Sequence, residues 1–124
     1  MKLYEVDKLN HIIKLLFDDK DVNLGAKLKF RLLTIMKQLA PHIESLVTIR
    51  NEKIQEYGTV DDNGQYILDP KDTEKFVKFQ EDIDALINED VDINIQKIKA
   101  SDLFECNVPA DYLVGLYDII EEDV

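Results

Sequence analysis

The sequence predicts a mainly α fold: a long kinked helix paired with an antiparallel helix as a hairpin, with short N- and C-terminal helices and a minor β element. Three observations carry this. Apolar residues between Leu28 and Tyr57 recur at steps of mostly three and four, the spacing that keeps one helix face on a partner. A second series, Phe76, Phe79, Ile83 and Leu86, repeats the same steps further on. At Val91, Ile93 and Ile95 the period then falls to two, the signature of a half-buried strand. With 124 residues, 45% of them apolar, the chain is read as one domain over residues 1–124 with enough apolar surface for a core.

Taken in order, Val6 to Phe17 reads as an amphipathic helix with Leu9, Ile12, Ile13, Leu16 and Phe17 on one face. Leu3, Tyr4 and Val6 are read as a short strand ahead of it, and Asp18-Asp19-Lys20-Asp21 as a solvated turn. The long helix is expected from about Gly25 to Tyr57, through Leu28, Leu32, Ile35, Leu39, Ile43, Leu46, Ile49 or Arg50, Ile54 and Tyr57. Pro41 removes one backbone donor, so a kink near Lys37 to Ala40 is expected in a continuous helix, because the apolar phase carries through. Gly58 supplies the stop.

Asp61-Asp62-Asn63-Gly64 is a turn signal, followed by the β-prone Gln65-Tyr66-Ile67-Leu68. The next helix is expected from Pro70, with Asp69 as its N-cap, to about Asn88. Val91 to Ile95 is then a strand that ends by Lys97, and Ser101-Asp102 is a turn or a brief helical start. Pro109 opens a last helix whose apolar face is Leu113, Leu116, Tyr117 and Ile120. Its acidic end, Glu121-Glu122-Asp123-Val124, opposes the helix dipole and is expected to fray.

The net charge of −11 is unevenly placed. Residues 1–58 hold 10 Lys and Arg against 8 Asp and Glu, whereas residues 59–124 hold 5 against 18. Such a balance argues against direct binding to nucleic acid or an anionic membrane, where phosphates call for cations. No apolar run reaches the roughly 18 residues of a membrane span. A single Cys106 forms no internal disulfide and reads as a small buried hydrophobe. The cytoplasm is the expected compartment.

Site chemistry is sparse. Gly64 as the sixth residue of a calcium loop places Thr59 first and Pro70 twelfth, so the first and last ligands are missing and a plain turn is favoured. His42 and His11 have no nucleophile at a telling spacing. The clustered carboxylates read as a solvated face, and Lys27, Lys29, Arg31 and Lys37 as a solvent face of the long helix. No catalytic residue, cofactor or metal is assigned, and the chain is read as a non-catalytic protein binder. The candidate partner-binding surface is the acidic set Asp82, Asp84, Glu89, Asp90 and Asp92. The alternative is a nucleic-acid mimic that uses the same carboxylates to block a DNA- or RNA-binding enzyme. A homodimer is a further option, since so long a seam leaves apolar surface uncovered by a shorter partner helix.

The run Arg50 to Gly58, followed by Asp61-Asp62-Asn63-Gly64-Gln65-Tyr66, resembles a group of short phage and prophage proteins of Gram-positive bacteria. In these a long helix ends in a "KYG"-like stop, then a "DENGxY"-like turn, an acidic helix, an "EVDI"-like strand and a short helix follow. The later matches here are Glu89-Asp90-Val91-Asp92-Ile93 and Pro109-Ala110-Asp111-Tyr112-Leu113, so the likeness covers residues 25–122. Val108 departs from the capping Ser or Thr usual before that proline. The resemblance implies a phage-encoded assembly or virion component, or a modulator of a host or defence protein, and brings no catalytic residue with it.

Overall fold

The computed structural model describes residues 1–122. Helix α1 spans Leu3–Asp18 and buries Leu3, Val6, Leu9, Asn10, Ile13 and Leu16. It starts earlier than its apolar pattern suggests, and Leu3, Tyr4 and Val6 are helical, not a strand. Two contacts explain the early start. The Glu5 carboxylate accepts the Lys2 backbone N–H at 3.0 Å, and the returning chain pairs with the N-terminus. Leu3 N–H donates to the Glu89 carbonyl at 3.0 Å and Val91 N–H to that of Met1 at 2.9 Å. Donors at the first turn are thereby satisfied without a sheet.

Helix α2 spans Gly25–Tyr57, the expected bounds, and runs unbroken through Pro41, which has no N–H to give to the Lys37 carbonyl. At 33 residues it is roughly 50 Å long. Its buried side chains are Leu28, Leu32, Ile35, Leu39 and Leu46, whereas Ile49, Ile54 and Tyr57 are only half-buried. The dense core therefore lies against the first two-thirds of the helix, and Arg50 is exposed. Gly58 ends α2 for a different reason from the one usual at helix stops. Its φ is −90°, open to any residue, and its N–H still donates to the Ile54 carbonyl at 2.7 Å. What excludes a side chain is proximity: a Cβ would strike the Ile54 carbonyl oxygen and lie 2.6 Å from that of Ile67.

Strands β1 (Thr59–Val60) and β2 (Tyr66–Ile67) form an antiparallel hairpin with Thr59 opposite Ile67 and Val60 opposite Tyr66. Asp61 builds its turn by accepting the backbone N–H groups of Asn63 and Gln65, both at 2.9 Å. Helix α3 is Thr73–Ile87. It begins three residues later than expected because Asp72, not Asp69, caps it, accepting from the Lys75 N–H. Asp69 instead closes the preceding turn by accepting the Lys71 N–H. The chain then travels back along α2: Asp82 meets Lys53 and Tyr57, and Asn94 meets Gln38. Phe76, Phe79, Ile83 and Leu86 are all half-buried at the predicted spacing, Leu86 packs against the buried core, and α3 contributes no fully buried residue.

Residues 91–97 belong to no strand, which corrects the expected Val91–Ile95 strand. Burial still alternates: Val91, Ile93 and Ile95 are half-buried while Asp92, Asn94 and Gln96 are exposed. Period two reports a segment with one side on the core, and nothing in the pattern requires a neighbouring strand. The pairing comes later. Strand β3 (Ile98–Lys99) runs parallel to β4 (Ile120–Glu121), and Ile98 is among the most buried residues. Between them lie α4 (Ala100–Glu105), α5 (Ala110–Gly115) and a 3-10 turn (Tyr117–Ile119). The single last helix expected from Pro109 is thus divided, since Ile120 must unwind to pair with Ile98. Leu116 and Ile119 are buried, but Tyr117 is 74% exposed and does not belong to the core face assigned to it. Glu121 lies in a strand, not a helix end, and Asp123 and Val124 are outside the described residues. Gly115 lets α5 close on α1, because a Cβ there would sit 2.9 Å from the Ile12 side chain.

Candidate functional site

The five acidic residues singled out in the sequence have different surroundings. Asp82 is half-buried between helices, where its carboxylate accepts the Tyr57 hydroxyl at 2.7 Å and lies 3.5 Å from Lys53 Nζ. Asp90 pairs with Lys2 at 3.2 Å. Asp84, Glu89 and Asp92 are exposed and form no ion pair with other described residues. Asp82 is thereby held between α2 and α3, whereas Asp90, its side chain 76% exposed, faces water with Asp84, Glu89 and Asp92.

The other ionisable contacts are likewise structural. The Tyr57 phenol is raised above its ordinary 10.0, chiefly because its proton bonds the Asp82 carboxylate. Tyr112 is raised in the same way by Asp19, whose carboxylate accepts its hydroxyl at 2.8 Å and ties α5 to the end of α1. Lys53 is raised first by its hydrogen bond to Glu56. Asp102 on α4 stands 4.0 Å from Arg31 on α2, and Cys106 Sγ lies 3.0 Å from the Leu24 carbonyl, half-buried as a small core side chain. Both contacts fasten the C-terminal segment to the start of α2. His11 is exposed and His42 half-buried. Among the described residues no three His, Cys, Asp or Glu side chains converge as metal ligands, and no helix is long and apolar enough to cross a membrane.

The feature that composition did not reveal is apolar. Leu103 and Phe104 of α4, Leu113 and Val114 of α5, Tyr117 and Ile120 line an open groove of about 200 Å³. Phe104 is 65% exposed, Val114 78% and Tyr117 74%, so three large side chains meet water along one rim. The backbone explains their exposure. Leu103 and Leu116 each bury completely, and their helical neighbours Phe104 and Tyr117 must then turn outward. Within the segment the charge has one sign: residues 100–122 carry six acidic side chains and no Lys or Arg. Basic side chains counter it from outside the segment: Lys97 lines a groove with Phe104 and Tyr117, Lys8 lines one with Val114 and Asp118, and Arg31 stands 4.0 Å from Asp102. A sequence signal did exist in the succession of Phe104, Val114 and Tyr117 at positions the core does not need. It is masked when Tyr117 is counted into a continuous helix face.

Compared with models of known protein families, with curated proteins and with solved structures, the chain matches none.

Proposed function

We propose that the chain acts by binding a protein partner, not by catalysis, and that the C-terminal apolar groove is where the partner docks. The observation that carries this is the groove itself: three large apolar side chains exposed together beside a pocket, in a segment whose charges are all acidic. Exposed contiguous apolar surface with a polar rim is the mark of an interaction site. Asp118 and Glu122, which line a groove with Phe104 and Tyr117, suit a partner whose apolar ridge carries Lys or Arg beside it. The resemblance to phage and prophage proteins supports a role as an assembly or accessory factor, or as a modulator of a host protein, in the host cytoplasm or in the virion.

The nucleic-acid mimic is a second reading, because Asp84, Glu89 and Asp92 are exposed and outside the ion pairs of the described residues. It is the weaker one, since Asp82 and Asp90 are already engaged by Lys53 and Lys2. Affinity capture from host lysate separates the two. The wild-type chain should retain a partner that Val114→Asp releases and that the combined Asp84→Asn, Glu89→Gln and Asp92→Asn variant keeps. Loss through the neutralised carboxylates, with Val114→Asp binding normally, would favour the mimic and remove the groove as the docking site.

A further inference from the structure

A second apolar line runs along α2, on a face turned away from its buried seam. Phe30, Leu33, Lys37, Ala40, Glu44 and Val47 follow one another at alternating steps of three and four, so they share one stripe of the helix. All six are exposed: Phe30 by 70%, Leu33 by 41% and Val47 by 45%. The stripe is distinct from the buried seam of Leu28, Leu32, Ile35, Leu39 and Leu46. Leu33, Met36, Ala40 and Ile43 also line a shallow groove between α2 and α1, with Lys14 at its edge.

Two charges interrupt the apolar line, and they have opposite signs. Lys37 and Glu44 are two turns apart, about 10 Å along the axis, too far to pair with each other. Neither makes an ion pair with another described residue. Their placement about Ala40 is nearly symmetric, one lying three residues before it and the other four after, with Leu33 and Val47 each seven residues away. A stripe of this kind is complementary to itself when reversed.

We infer that this face of α2 is a homodimer interface, in which a second copy packs antiparallel across a two-fold axis near Ala40. Lys37 of each copy then meets Glu44 of the other, Leu33 meets Val47, and the small Ala40 lets the helices approach at the centre. In a two-fold contact each pair occurs twice, so one favourable ion pair is doubled and one unfavourable pair is doubled as well. The surface is separate from the C-terminal groove, and dimerisation here does not depend on a partner docking there.

The test is charge exchange on the full chain, read by sedimentation equilibrium and light scattering. Wild type should be dimeric. Lys37→Glu and Glu44→Lys should each weaken the dimer by about tenfold or more, since each places like charges opposite one another twice. Both positions are exposed, and circular dichroism should show the helix content unchanged. Mixing the two single variants should restore a heterodimer, because each mismatch is then complemented, and the double variant should dimerise alone. A wild-type chain that stays monomeric at high micromolar concentration overturns the inference. So does a dimer that both single variants leave intact, or two weakened variants that fail to combine.

Discussion

Replacing Gly58 by alanine tests how α2 hands over to the hairpin. The added Cβ would meet two main-chain oxygens, those of Ile54 and Ile67, the second at 2.6 Å. Neither oxygen belongs to a side chain that can swing aside. Relief requires that β2 move away from α2 or that the 2.7 Å bond from Gly58 N–H to Ile54 be lost. Overpacking of this kind costs about 1 to 3 kcal/mol. The same change restricts the unfolded chain and returns about 0.4 to 1 kcal/mol, leaving a net loss of about 1.3 kcal/mol at mid-range. Gly64 is the contrast, with φ +79° and no atom within 4 Å of where a Cβ would stand. There alanine costs about 1 kcal/mol through left-handed strain alone, and asparagine, which tolerates that region, costs less. At Gly58, where φ is −90°, asparagine should help no more than alanine. Urea unfolding of the four variants gives the comparison. Gly58→Ala within about 0.5 kcal/mol of wild type, or a clear rescue by Gly58→Asn, would refute the close-approach argument.

Three further outcomes follow from the packing and the ionisable contacts. Leu39→Ala, at a fully buried site, should cost about 3 kcal/mol in urea unfolding, because the surrounding α1–α2 core collapses only partly on the cavity. Phe79→Ala, half-buried on α3, should cost less and should raise amide exchange within Thr73–Ile87 while leaving α1 protected. In alkaline titration followed by tyrosinate absorbance, Asp82→Asn should bring Tyr57 back down toward 10.0. Because the folded phenol is raised, its stabilising contribution is complete below the unfolded value and disappears as pH climbs through the folded one, so the wild-type advantage over Asp82→Asn should vanish at strongly alkaline pH.

The helices are legible in the sequence because their periodicity records burial. Leu28 to Leu46 are buried or half-buried and Phe76 to Leu86 half-buried where the spacing places them, and α2 has the expected ends. Sequence and structure part where the pattern fixes a backbone shape and leaves the partner open. Val91 to Ile95 alternate in burial as a strand would, yet the parallel partner of the chain, Ile120–Glu121, lies against Ile98–Lys99. That pairing joins residues more than twenty apart, and no local signal announces it. The start of α3 slips for a related reason. Asp69 and Asp72 are both competent caps, and only the turn that Asp69 closes with Lys71 decides between them. For the site, composition points to carboxylates because their count is large, whereas Asp82 is engaged within the fold by Tyr57 and Lys53. The groove depends on which side chains of short helices turn outward once Leu103 and Leu116 are buried, and that is settled by tertiary contacts.

In the proposed function a protein docks on Phe104, Val114 and Tyr117, which are 65%, 78% and 74% exposed. The most direct measurement of that claim is titration calorimetry of the full chain with the captured partner, repeated with Val114→Asp. The substitution should weaken binding by at least about tenfold, since an anchor at the centre of an interface carries much of its energy, while the fold stays intact because Val114 is 78% exposed. Unchanged affinity in a folded Val114→Asp chain would contradict the claim.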